Sequence, residues 1–190
     1  MHSERTVLIV DPDVESRESL QLILASQGYR LHVAPDDTAA IDYLRRHPCP
    51  VAVCEQGAAA EPPLGFLRHA RDLRPDTCVI LCGGDRLTGL TCLREQAFAF
   101  FRKPYSPQLL LEMVDQAFQA HAWRGDIALE SGTADWIALS VRAKFSAGER
   151  VVQYLRELAD ILAPVEADEL ASALREILLN AIEHGGRTDS

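Results

Sequence analysis

The strongest constraint on this chain is an alternation, repeated five times in the first 120 residues, between short apolar runs and helix-period stretches. The runs read TVLIV (6–10), RLHVA (30–34), PVAVC (50–54), TCVIL (77–81) and FAFFR (98–102). Between them, residues 14–27, 37–46, 64–73, 86–96 and 106–120 place apolar side chains at helical spacing, as Leu20, Ile23 and Leu24 do ahead of a stop at Gly28. Strands without a polar face must be covered on both sides, which predicts an α/β domain of (βα)5 type with a parallel sheet. Such a sheet binds ligands beyond the carboxyl ends of its strands. Asp11 with Asp13, Glu55, Cys82 and Lys103 lie there and are the first candidate site residues.

At 190 residues and 47% hydrophobic, the chain can fill one core of ordinary domain size and has an appendage left over. Its net charge of -9 is without a concentrated basic patch, which argues against nucleic-acid binding. The five cysteines are odd in number and match no zinc spacing, so they read as reduced thiols lining the core or the site. No apolar run approaches the ~20 residues that span a bilayer, and the start MHSERT lacks the apolar stretch of a signal peptide. The expectation is a soluble cytoplasmic protein with no membrane partner.

Residues 121–133, HAWRGDIALESGT, are broken by glycines and charges and read as a linker or a short joining helix. Beyond it, residues 134–190 predict one strand, in DWIALSVRA, and two amphipathic helices, 148–162 and 166–184, split at Pro164. On the second helix Glu169, Ala173, Glu176, Asn180 and His184 form one stripe, and Leu170, Leu174, Ile177, Leu178, Ala181 and Ile182 form the expected buried face. A carboxylate and a carboxamide one turn apart can share a cation and its water. The plainer reading is a helix end, with Gly185-Gly186 as the stop and His184 favoured by the helix dipole. An apolar face on such a hairpin needs a partner, so the expected assembly is a homodimer.

The stretches VLIVDPD, PVAVCEQ, CVILCGG and FFRKPYSPQLL resemble the four loop motifs of a response-regulator receiver domain over about residues 5–120. The resemblance implies a flavodoxin-like, doubly wound sheet of order 2-1-3-4-5. In that family two acids after the first strand hold magnesium and an aspartate after the third accepts a phosphoryl group. A Ser or Thr after the fourth strand and a lysine before proline bind the phosphoryl oxygens. Here Asp11 and Lys103-Pro104 match, but the acceptor place holds Glu55, the second acid is Pro12, and the hydroxyl is replaced by Cys82. A weakened magnesium set of Asp11, Asp13 and Glu55 remains, and Phe100 falls at the position of the family's switch aromatic. A Glu55–Lys103 pair would put negative charge where an acyl phosphate would have carried it, giving a pseudo-receiver that needs no phosphorylation; a decayed site with a solvated Glu55, and a site still phosphorylated at Glu55 or Asp13, are the alternatives.

The stretch ELASALREILLNAIEHGG resembles the magnesium-nucleotide helix, the N-box, of histidine-kinase-type ATPases, closest to the anti-sigma-factor serine kinases. That resemblance implies Asn180 as metal ligand, Glu176 as general base and His184 near the phosphates. The family's later Gly-rich motifs do not follow, so ATP is expected only in a longer parent and the chain as given reads as non-enzymatic. The expectation is a two-component signalling protein whose partners are a sensor kinase or switch protein. A serine kinase in a longer parent and a dimeric adaptor are the alternatives.

Overall fold

The computed structural model describes residues 5–55, 64–132, 136–159 and 164–185. Five strands, β1 (Thr6–Val10), β2 (Arg30–Ala34), β3 (Val51–Glu55), β4 (Cys78–Cys82) and β5 (Ala99–Phe101), form one parallel sheet of order β2-β1-β3-β4-β5. The crossovers are α1 (Val14–Ala25), α2 (Asp37–Arg46), α3 (Gly65–Leu73) and α4 (Arg86–Arg94), and α5 (Pro107–Gln119) follows β5. The fold is the expected flavodoxin-like α/β arrangement.

Period-two alternation divides the core between the two faces of the sheet. Leu8, Val10, Ala52 and Leu81 pack with Leu44, Leu67, Ala70 and Leu93 of α2, α3 and α4. Val7, Ile9, Val53 and Ile80 pack with Leu20 and Leu24 of α1 and with Leu110 and Val114 of α5. Helix starts follow local chemistry: Asp13, Asp36 and Asp85 each accept a backbone N–H of the first turn, and Ser106 does so ahead of Pro107.

The sequence-based boundary at residues 121–133 is corrected. Residues Ile127–Gly132 form β6, antiparallel to β7 (Ile137–Val141), so the appendage is a hairpin plus two helices rather than one strand plus two helices. The reason lies on either side of the glycines. Gly125 takes the turn at φ 74°, Ile127 then points into the core with Leu129 beside it, and the buried Asp126 carboxylate holds Lys144 Nζ at 3.0 Å. The buried indole of Trp123 packs edge-on against Phe98, with ring centroids 5.2 Å apart.

The appended helix α6 (Phe145–Leu158) lies along the free edge of β5. An edge strand leaves carbonyls and amides without ladder partners, and α6 supplies them. Arg150 Nε donates to Phe98 O at 2.8 Å, Tyr154 Oη to Ala97 O at 2.9 Å and Gln153 Nε2 to Phe100 O at 3.2 Å, while Arg102 N donates to Glu157 Oε2 at 2.9 Å. The Arg150 guanidinium stands over both the Phe98 and the Trp123 rings, 4.6 and 4.8 Å from their centroids.

The last helix, α7 (Pro164–Gly185), packs on α6. Gly148 of α6 makes room, since a Cβ there would come within 3.2 Å of Ile182 Cδ1. The inward ridge is therefore Ala171, Leu174, Leu178 and Ile182. Leu170 and Ile177, expected on the buried face, are 43% and 63% exposed, and Ala181 is exposed as well. No helix among the described residues is long and apolar enough to cross a membrane.

Candidate functional site at the carboxyl edge of the sheet

The parallel register builds the site. Val10 lies opposite Cys54, Glu55 opposite Cys82, and Cys82 opposite Phe101, so Asp11, Glu55, Cys82 and the Arg102–Lys103 segment arrive at one edge from four strands. Glu55 ends β3 with its side chain only 10% exposed, and Lys103 Nζ stands 3.0 Å from its Oε2. The same ammonium donates to Ser16 Oγ of α1 at 2.7 Å. Glu55 is therefore not the solvated loop carboxylate of the decayed-site alternative.

Asp11 is fully buried. Its Oδ1 accepts the Asp13 N–H at 2.9 Å, and its Oδ2 has no hydrogen-bond partner among the described residues. Asp13 accepts the Ser16 N–H at 2.8 Å as the N-cap of α1, and Arg17 donates to the Asp11 carbonyl at 2.7 Å. Burial is the largest influence on Glu55 and holds its carboxyl above the ordinary glutamate value. Lys103 opposes this, and the nearby Asp11 and Asp13 reinforce it. Burial, assisted by the charge of Glu55, likewise pushes the Cys82 thiol far above its ordinary range. Cys82 is thus a protonated, apolar-sided group at the place where the family carries a hydroxyl, and a redox role through a thiolate has no support there. The Tyr105 hydroxyl, raised first by burial and then by Cys82 and Glu55, belongs to the same neighbourhood.

The acidic set is not gathered around one point in this structure. Asp11 offers one oxygen in place, but Pro12 has no ligand atom, Asp13 caps a helix and Glu55 is engaged by Lys103. Among the described residues no group of three or more His, Cys, Asp or Glu side chains is gathered to hold a metal ion.

Phe100 is fully buried and faces the α4 and α6 side of the sheet, with Val151 and Tyr154 in the same cluster. A Cβ on Gly89 would lie 2.8 Å from its ring, so a glycine is required where α4 crosses it. Phe98 and Phe101 are buried toward the opposite face. The other predicted cluster is not brought together with this one: Glu176, Asn180 and His184 are all exposed along α7, at the far side of α6 from the sheet.

Sequence reasoning missed Ser16 as the second partner of Lys103, and it missed the edge-capping set Arg150, Gln153, Tyr154 and Glu157. The signal was present as a run of polar groups at i, i+3, i+4 and i+7. That spacing marks one face of a helix.

No protein-family model matches the chain. It is similar to the hydrogenase transcriptional regulatory protein HoxA of Bradyrhizobium diazoefficiens, 26% identical over 192 residues that cover 98% of this chain and 37% of that protein. The HoxA of Cupriavidus necator is 28% identical over 129 residues, 65% of this chain and 26% of that protein. The chain thus spans about a quarter to just over a third of the length of these curated relatives. Among solved structures, the beryllofluoride-activated NtrC4 receiver domain dimer superposes with TM-score 0.55 at 25% identity, over 60% of this chain and 97% of that one. With the strand order, these likenesses lead to one conclusion: the described residues between 5 and 119 have the fold of a response-regulator receiver domain, extended by a C-terminal hairpin and two helices.

Proposed function

We propose that this receiver domain acts in two-component signalling as a phosphorylation-independent module, with the Glu55–Lys103 pair in the role that a phosphorylated acceptor and its lysine play elsewhere. One observation carries the reading: Lys103 Nζ lies 3.0 Å from a carboxylate that is 10% exposed and comes from the end of β3. Phosphorylation works by adding a charge that a cation can pair with, which orders a neighbouring segment. Glu55 supplies a negative charge without a phosphoryl group, one methylene farther out than an aspartate would, and Lys103 closes on it. The β5–α5 segment is then held without a phosphate. The output is association with signalling proteins in the cytoplasm, including a second copy of the chain, or control of a module attached to α7. The test is Glu55→Gln, which keeps the shape and removes the charge. Self-association measured by sedimentation should fall by about tenfold or more if the pair sets the active arrangement, and an unchanged profile sinks the mimic.

A second reading is favoured by the single exposed face that carries Glu176, Asn180 and His184. That face suits a magnesium-nucleotide helix of the serine-kinase type, regulated by the receiver. Saturable binding of a fluorescent ATP analogue with magnesium, lost in Asn180→Ala, would support it for this chain; no saturable binding restricts it to a longer protein.

A further inference from the structure

We propose that Glu157 is a positioning residue that couples the Glu55–Lys103 pair to helix α7 through a continuous line of hydrogen-bonded side chains on α6. The inference rests on the reading of that pair as the switch. Lys103 is followed backward along the chain by Arg102, whose N–H donates to Glu157 Oε2 at 2.9 Å and whose guanidinium Nε stands 3.7 Å from the same oxygen. The other carboxylate oxygen, Oε1, accepts from Gln153 Nε2 at 2.8 Å. Gln153 also reaches Phe100 O, and its own Oε1 accepts from Arg156 Nη1 at 3.3 Å. Arg156 Nε then donates to Asp168 Oδ1 of α7 at 3.0 Å. The line runs from the residue beside Lys103 to the second turn of the helix that carries Glu176 and Asn180.

Burial makes the middle of this line selective, whereas its Arg156–Asp168 end is exposed. Gln153 and Glu157 are both buried, so a bond lost there leaves a polar group with no water to replace its partner. The two halves of α6 are also held differently. At the start, Arg150 and Tyr154 are locked onto Ala97 and Phe98 by carbonyl bonds and by the Phe98 and Trp123 rings. At the end, Glu157 is fixed to the segment that Glu55 pulls on through Lys103. Releasing Lys103 from Glu55 and Ser16 frees the Arg102 amide to shift, while the anchored start of α6 acts as a pivot. The displaced end meets the start of α7 through Arg156 and Asp168, while the anchored start of α6 packs at Gly148 against Leu178 and Ile182 farther along α7.

A contiguous path is only a hypothesis of coupling until two changes are shown not to add. The test is residue-resolved amide exchange on the full chain for Glu55→Gln, Glu157→Gln and the double variant. Glu55→Gln should speed exchange at Arg102 and over residues 168–174 about tenfold, and should speed the latter less than twofold once Glu157→Gln is present. Reciprocity requires Asp168→Asn to speed exchange at Arg102. Val151→Ala, buried on α6 outside the line, controls for simple loosening: in its background the tenfold response to Glu55→Gln persists. Additive effects, or an Arg102 response with none in residues 168–174, overturn the proposal. If exchange couples but self-association ignores Glu55→Gln, the switch reading fails and the relay stands; the reverse outcome removes the relay and keeps the switch.

Discussion

Two acidic sites, one on the sheet and one on α7, carry similar groups and end in opposite circumstances. Glu55 sits at a strand end where four strands deliver an acid, a thiol and a lysine into one place, and it is nearly buried. Glu176, Asn180 and His184 lie on one helix and face solvent. Spacing along a helix fixes which residues share a face, but burial and a counter-charge come only from other elements. That difference separates a tuned carboxylate, shifted upward by burial, from surface groups. The element between the two sites is α6, which caps β5 on one side and receives α7 on the other.

The largest effect is expected where that element is anchored. Tyr154 is fully buried and donates to Ala97 O, so Tyr154→Ala removes both a large apolar contact and an edge bond. It should cost about 3–5 kcal/mol by denaturant unfolding. If it costs less than about 1 kcal/mol, α6 is not anchored through this side chain and the two sites are mechanically independent.

The next effect tests the tuned site itself. Lys103→Met leaves the Glu55 carboxylate largely buried without its cation, which should cost about 1–3 kcal/mol at neutral pH. The pH dependence has a definite sign. The folded-state pKa of Glu55 lies above its ordinary 4.5, so the folded chain holds that proton more tightly than the unfolded chain does. Its contribution to stability is therefore greatest below 4.5 and is lost as pH rises through the window above it. Glu157, raised mainly by burial, acts in the same direction. Unfolding free energy should decline across that window in the parent chain, decline less in Glu55→Gln, and decline further and over a wider range in Lys103→Met. The Lys103→Met penalty should vanish in acid. A penalty independent of pH would mean that the lysine matters for its stem and its Ser16 bond rather than for its charge.

A smaller effect reads the same carboxyl directly. The Glu55 side-chain carbon resonance should titrate with a midpoint above 4.5, and the midpoint should rise again in Lys103→Met because the opposing cation is gone. A midpoint at or below the ordinary value would place Glu55 in solvent with the α7 group.

The sheet and its site were legible because each depends on patterns that sequence carries. Fully apolar runs dictate a covered parallel sheet, and the ends of such runs are where Asp11, Glu55, Cys82 and Lys103 had to meet. The appendage was less legible because its determinants are relational. β6 was hidden by Gly125, Gly132 and the charges Asp126 and Glu130, which look like a linker until the buried Asp126 meets Lys144. Arg150, Gln153 and Glu157 lie in a stretch whose pattern predicts only an amphipathic helix, and the carbonyls and amide at the edge of β5 are what make their face a binding one. The direction of α7 turned on Gly148: its missing side chain lets Ile182 and Leu178 approach, rotating Leu170 and Ile177 outward.

The smallest effect is expected on α7. Glu176→Gln, Asn180→Ala and His184→Ala remove exposed groups whose helix is held by α6 through a different face, so each should change stability by no more than about 0.5 kcal/mol. His184 in the last turn, at the carboxyl end of the helix dipole, should account for most of any loss. The same substitutions should leave the Glu55 midpoint unmoved, since the relay enters α7 at Asp168, near the opposite end of the helix. A loss above 1 kcal/mol from Glu176→Gln or Asn180→Ala would show that this face is covered in solution by another copy of the chain, and the loss should then scale with protein concentration.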